Sequence, residues 1–332
     1  MTALRSLGTG TALGLVAIVL IVAIAGGAVA GRIARPAPPT PIPTPEPTLA
    51  PPTPEPDTAP LVFALPLTAG CATDDATWVV SDGGGIGRFD GTTWRLADPT
   101  LRSLVAVACA SDTVLAIGPA GRVLTIDDRA KAIRADDLGI VDLFGISLLP
   151  DGSLVVGAGG AVLRQTANGW QPYARGLEED LFGVVGFSAT SAWTVGSNGA
   201  AFRLEDAGWR QFATGTTVTL RAVAASSAND AVAAGDGGTV LRFDGRWRPL
   251  DTGVKTDLRA AVRVGQVTYV AGDDGVVLAV RGNDVTRLDL GTTCSLRGAF
   301  AKGDDLWLVG SSGTRAAVWR KTGDGVQRWG DC

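Results

Sequence analysis

From residue 77 onward, short apolar runs alternate with glycine-rich polar turns, and one such pattern returns seven times. The copies read WVVSDGGGIGRF, LAIGPAGRVLTI, LVVGAGGAVLRQ, WTVGSNGAAFRL, AVAAGDGGTVLRF, YVAGDDGVVLAV and WLVGSSGTRAAV. Apolar runs this short, bounded by turn residues and without helical periodicity, predict strands. Each copy is two strands joined by a tight turn. The second turn glycines are Gly84, Gly121, Gly160, Gly199, Gly238, Gly275 and Gly313, spaced 37, 39, 39, 39, 37 and 38 residues apart. A tight hairpin demands positive φ, which glycine adopts without steric cost.

Two more strands complete each unit. Upstream runs a Leu-led strand: LVAVACA, LFGISLL, LFGVVGF, LRAVAAS, LRAAVRV and LRGAFAK, with PLTAGCA as the first-unit equivalent. Downstream runs a strand opened by Trp94, Trp170, Trp209 or Trp247, with Val285 and Val326 at that place in the last two units. Four antiparallel strands per period of about 40 residues describe a propeller blade. The pattern predicts an all-β, seven-bladed β-propeller with blades near 66–98, 99–136, 137–175, 176–214, 215–252, 253–290 and 291–332. The ring closes without a borrowed strand, although Leu61–Leu65 could add to the last blade.

The N-terminal part is built differently. Residues 1–10 form a tail. No charged residue lies between Arg5 and Arg32, and residues 11–31 read TALGLVAIVLIVAIAGGAVAG. About 20 apolar residues span a bilayer as a helix. A cleaved signal peptide competes with this, because Ala28-Val29-Ala30 is an A-x-A site, but the apolar run is long for one. Residues 36–60, within a linker at 32–60, hold 12 of the 18 prolines. Such a stretch is extended polyproline II, reaching on the order of 80 Å, and serves as a spacer or as a proline-rich ligand. The propeller is assigned residues 61–332.

Arg5 precedes the apolar segment and Arg32 and Arg35 follow it. The positive-inside rule alone keeps the C-terminal side in the cytoplasm, but large domains translocate despite such charges. The expected location is the inner or cytoplasmic membrane, with the propeller on the periplasmic or extracytoplasmic side.

The cysteines favour that side. Aligned by blade, Cys71 and Cys109 fall late on neighbouring innermost strands, while Cys294 precedes the last innermost strand and Cys332 follows the outermost. Starts of first strands and ends of fourth strands share one face of a propeller. The compatible pairing is Cys71–Cys109 with Cys294–Cys332, and it implies an oxidising compartment. Four thiols are the competing reading.

Composition removes several chemistries. The chain has no histidine, which excludes Ser-His-Asp triads, imidazole zinc sites and histidine-ligated haem. The net charge of −4 belongs to residues 61–332, since three arginines cancel three acids before them, so nothing draws the domain toward nucleic acid. Asp82, Asp236, Asp273 and Asp274 lack the spacing of a calcium loop and fit turn chemistry. The strand tryptophans fit packing between blades better than a sugar platform. No catalytic residue, metal site, cofactor or small-molecule substrate is expected.

The cassette Trp-x-Val-Gly-x-x-Gly-x-Val-x-Arg-x-Asp-Gly-x-Trp, best matched by residues 78–94 and 232–247, resembles the BNR-like and sialidase-like propeller superfamily. Within it, residues 66–332 look most like the photosystem II assembly and stability factors. Sialidase activity needs a tyrosine nucleophile beside an arginine triad, and Tyr173 and Tyr269 sit in no such constellation. The resemblance implies a non-enzymatic protein that binds reaction-centre proteins through arginines. The matching repeat arginines are Arg88, Arg164, Arg203 and Arg242, with Thr125 and Ala279 breaking the set. A second set, Arg221, Arg259 and Arg297, begins the inner strands of blades five to seven and should sit at one rim of the channel. Salt bridges within the propeller are the competing role for these arginines. The expected partner is a membrane protein complex, a photosynthetic reaction centre or antenna among the candidates. A scaffold, assembly or accessory subunit is the first functional expectation, and a binder of glycans or envelope polymers the alternative.

Overall fold

The computed structural model describes residues 66–96, 102–110, 113–127, 133–139, 141–174 and 176–332. The expected tail, membrane helix, proline-rich linker and Leu61–Leu65 strand lie outside the described residues. Among the described residues, no helix is long and apolar enough to cross a membrane.

The first blade is β1 (Leu67–Ala72), β2 (Thr77–Ser81), β3 (Ile86–Phe89) and β4 (Trp94–Leu96). The second is β5 (Ala106–Ala110), β6 (Thr113–Gly118), β7 (Arg122–Asp127) and β8 (Ile133–Asp137). The third is β9 (Leu143–Ser147), β10 (Leu154–Gly157), β11 (Val162–Thr166) and β12 (Gly169–Pro172). The fourth is β13 (Leu181–Ser188), β14 (Ser191–Gly196), β15 (Ala201–Glu205) and β16 (Gly208–Gln211). The fifth is β17 (Leu220–Ser227), β18 (Asp230–Gly235), β19 (Val240–Phe243) and β20 (Trp247–Pro249). The sixth is β21 (Leu258–Val264), β22 (Val267–Gly272), β23 (Val277–Arg281) and β24 (Asp284–Leu288). The seventh is β25 (Ser295–Lys302), β26 (Asp305–Ser312), β27 (Arg315–Lys321) and β28 (Val326–Gly330).

Each blade is a four-stranded antiparallel meander in chain order. First strands of successive blades touch, and β25 touches β1, so the ring is closed with first strands innermost. The architecture is a seven-bladed propeller in which every blade is built from one continuous stretch of chain.

A lone four-stranded sheet cannot bury both faces, so the core forms between blades. The described residues give seven apolar clusters, one at each blade interface. The one joining the last blade to the first is aromatic. Phe89 and Trp94 stack with ring centroids 5.1 Å apart, Trp307 and Trp329 stack at 5.4 Å, and Phe89 meets Trp329 at 5.2 Å. Among the described residues, ring closure therefore rests on side-chain packing, with no strand shared between the last blade and the first. Trp329 fills this role late in β28, whereas Val326 at the strand opening is exposed.

All seven turn glycines picked out by the repeat have positive φ, between 59° and 82°. In blade four the two cassette glycines do separate jobs. A Cβ on Gly196 would collide with the Asp180 carbonyl at the start of the first strand. Gly199, with φ of 67°, would collide with the Thr216 carbonyl of the segment leading to blade five.

At five of the seven interfaces, among the described residues, a side chain placed just before the first strand's leading leucine ties the blade to its predecessor. Asp142 accepts from the Ala120 N–H at 2.8 Å, Asp180 from Gly159 at 2.8 Å and Asp257 from Gly237 at 3.0 Å. Two other interfaces reverse the polarity. Ser103 donates to Asp82 at 2.7 Å, and Ser295 donates to Asp273.

The cysteines are at disulfide distance in the expected pairs. Cys71 and Cys109 join β1 to β5 with Cα atoms 5.6 Å apart, and Cys294 and Cys332 bracket blade seven at 6.1 Å.

Candidate functional site: the mouth of the axial channel

The starts of the first strands carry a shared irregularity. The pairing of first with second strand skips one residue in blades one, three, four, five, six and seven. The skipped residues are Thr68, Phe144, Phe182, Arg221, Arg259 and Arg297. In blade two the equivalent is Val105, just before β5. A bulge takes a residue out of the alternating ladder and re-aims its side chain. Here the alternating positions fill the blade interfaces, and all seven residues of this level line an axial cavity of about 400 Å³.

Ring order follows blade order, so the level is divided. Val105, Phe144 and Phe182 form an apolar arc, with the two phenylalanine rings 5.2 Å apart. Arg221, Arg259 and Arg297 form the opposite, cationic arc. Among the described residues these three are the only charged side chains lining the cavity, and phenylalanine, glycine, alanine, valine, isoleucine and threonine make up the remainder.

The arginines are not equivalent. Arg221 binds Asp236 through Nε and Nη2, the latter at 2.9 Å, and its guanidinium lies 5.7 Å from the Phe182 ring centroid. Arg259 binds Asp273 through Nε at 2.8 Å and Nη2 at 2.6 Å, with Asp257 at 3.5 Å. These hydrogen bonds from Arg259, then the Ser295 hydroxyl, hold the Asp273 carboxyl below the usual carboxylate range despite partial burial. The same contact pushes Arg259 up. Arg297 is exposed and makes no ion pair or hydrogen bond with the described residues; its charge reaches Asp273 only through space. It also borders a polar groove between blades six and seven, shared with Lys255, Ser311 and Pro66 and with the acids Asp257, Asp273 and Asp274.

The other arginine set lies elsewhere. Arg88, Arg164, Arg203 and Arg242 stand on third strands, between blades, and do not reach the mouth. Arg203 shows why. It binds Glu205 at 2.8 Å, faces the rings of Phe212, Trp193 and Phe243 at 4.6, 5.6 and 5.9 Å, and donates to the Ala228 carbonyl of the next blade at 3.3 Å. Arg242 bonds Asn283 of the next blade at 3.2 Å. Arg164 lies 5.1 Å from the Tyr173 ring and Arg88 5.7 Å from the Trp78 ring. Arg203 and Arg242 thus tie neighbouring blades together, Arg164 holds the Asp151 turn of its own blade at 3.1 Å, and the turns these three reach lie at the far end of the first strands.

The strand tryptophans, which the sequence fits to packing between blades better than to a sugar platform, are buried or, for Trp170 and Trp209, partly buried. Trp94 and Trp247 are 5% and 6% exposed, packed at blade interfaces. Among the described residues, no group of three cysteine, aspartate or glutamate side chains gathers as a metal ion requires.

The repeat placed the rim arginines but not the phenylalanines. The signal was available: Leu-Phe-Gly in blades three and four stands in register with Leu-Arg-Ala in blades five and six.

No family model and no curated protein matches the chain. Solved propellers do. The WD40 β-propeller domain of Doa1 aligns with a TM-score of 0.69 at 12% identity, covering 80% of this chain and 96% of its own. YCF48 from Cyanidioschyzon merolae aligns at 0.63 and 14% identity, covering 77% and 96%. A structure of YCF48 bound to a D1 peptide aligns at 0.65 and 13%, covering 79% and 93%. At such identities the likeness shows the β-propeller fold, shared by WD40 domains and YCF48 alike, and singles out no superfamily.

Proposed function

We propose that this chain is a non-enzymatic docking protein, anchored to a membrane by its N-terminal apolar segment, whose axial mouth holds part of a protein partner. The partner is a membrane protein complex, and a photosynthetic reaction centre is the leading candidate. The observation that carries this is the convergence of Arg221, Arg259 and Arg297 on one arc of the channel mouth, where bulges turn them out of the blade interfaces. Support for the photosynthetic partner comes from the cassette resemblance and from a similar fold solved with a D1 peptide. Cysteine pairs at disulfide distance favour an extracytoplasmic propeller. A fold alone assigns no role, so the mouth has to be tested.

The test is native electrophoresis of membranes solubilised in mild detergent, comparing the natural chain with Arg297→Glu. The natural chain is expected in a larger complex and the variant alone. Migration of both as monomers, or of both in the complex, overturns the proposal.

A further inference from the structure

We infer that the mouth selects an extended partner segment carrying one acidic side chain close to one large apolar side chain, with Arg297 taking the acid and Phe144 and Phe182 the apolar group. This rests on the docking proposal above and sets its chemistry.

The charge count comes from the pairing of the arginines. Arg221 and Arg259 already carry the carboxylates of Asp236 and Asp273. A second acid offered to either would have to displace a two-pronged bond of the strong, charge-assisted kind. Arg297 has no such competitor among the described residues. Its exposed guanidinium is the place where a new carboxylate gains most and displaces least.

The apolar requirement comes from the other arc. Phe144 and Phe182 sit together at the same level of the ring, half-buried, and among the described residues the cavity they border holds no charge beyond the three arginines. Water on such a surface is released favourably by an apolar side chain. A cavity of about 400 Å³ lies in the range that takes a small ligand, and so accommodates part of a peptide rather than a folded element. Acid and apolar group must lie near each other along the segment, because both arcs belong to one ring.

The full-length chain in detergent micelles is titrated into fluorescein-labelled, doubly capped peptides, read by anisotropy. In the panel, one phenylalanine and one aspartate are separated by none to three serines. Control panels replace aspartate by asparagine, or phenylalanine by alanine. The best panel member is expected to bind at least about tenfold tighter than either control, the size of one hydrogen-bonded charge or one buried ring. Arg297→Gln should erase the preference for aspartate over asparagine and keep that for phenylalanine over alanine. Phe182→Ala should do the reverse, and Phe182→Leu, which keeps an apolar side chain there, should retain most of the binding. Equal binding of the asparagine peptides, an aspartate preference unchanged in Arg297→Gln, or no binding by any member overturns the inference. The docking proposal fails separately: if Arg297→Glu leaves the native complex intact, that proposal falls. If the complex dissociates while the panel shows no preference, only the present inference falls.

Discussion

Arg259 meets Asp273 through two parallel hydrogen bonds of 2.8 and 2.6 Å, and one blade further on Arg297 has no such partner among the described residues. The two arginines hold the same register position at the same mouth, so their substitutions should separate. Arg259→Gln leaves a half-buried carboxylate with only the Ser295 hydroxyl as donor and should lower stability, by roughly 1 kcal/mol at most since the pair is partly solvated. Arg297→Gln should stay within about 0.5 kcal/mol, as for a surface site away from special features. Urea unfolding followed by tryptophan fluorescence measures both. Equal loss in the two variants would show that Arg297 is also structural.

Asp273 makes a pH signature. Its carboxyl is held below the ordinary range by Arg259, so the folded state binds that proton less readily than the unfolded chain. The stabilisation is complete above the unfolded value, about 3.9, and is lost as pH falls through the lower folded value. Between about pH 5 and pH 2, the natural chain should lose more stability than Asp273→Asn, and the two curves should converge at the acid end. Parallel curves would mean that the Arg259–Asp273 pair does not form.

Closure of the ring depends on aromatic packing between the last and first blades. Trp329→Ala should cost about 3–5 kcal/mol, the range for removing a large buried aromatic side chain. Trp209, which is only partly buried, should cost less when replaced by alanine. Thermal or urea denaturation compares them. A mild Trp329→Ala would argue that something other than this cluster seals the ring.

The cysteines give a covalent test. Each pair spans 38 residues. In the chain-entropy account, a crosslink over a loop of that size contributes about 3–4 kcal/mol through the unfolded state. Cys332→Ser should therefore lower stability by an amount of that order, and reduction of the natural chain, which opens both pairs, should lower it by more. A non-reduced digest should yield peptides joined as Cys71–Cys109 and Cys294–Cys332. Four free thiols in protein taken from its own compartment would remove the case for an oxidising location.

Features that recur along the chain were legible in it. Blade number, turn glycines and the rim position of Arg221, Arg259 and Arg297 all follow from one cassette aligned with itself. The cysteine pairs were legible because strand direction decides which ends share a face. What escaped was contact across the ring. Phe144 and Phe182 read as ordinary strand residues until the bulge turns their position into the channel. Asp142, Asp180 and Asp257 carry no signal in the cassette, yet their carboxylates accept from backbone N–H groups about 20 residues earlier, on the preceding blade. Trp329 lies three residues after the strand opening where the other units place tryptophan, and only ring closure brings it against Phe89. The arginines of the third strands match a resemblance in sequence, yet an arginine facing tryptophan, tyrosine or phenylalanine within a blade stack is spent on packing.

The most direct measurement of the docking claim is photo-crosslinking in cells with a benzoylphenylalanine in place of Phe182, set against the same group in place of Asn229 at the opposite end of the channel wall. The expected result is an adduct to one membrane protein from the Phe182 position alone, mapped to a segment holding an acidic beside a large apolar residue, and lost in an Arg297→Glu background. Adducts of the same kind from both positions, or an adduct indifferent to Arg297, would contradict the account.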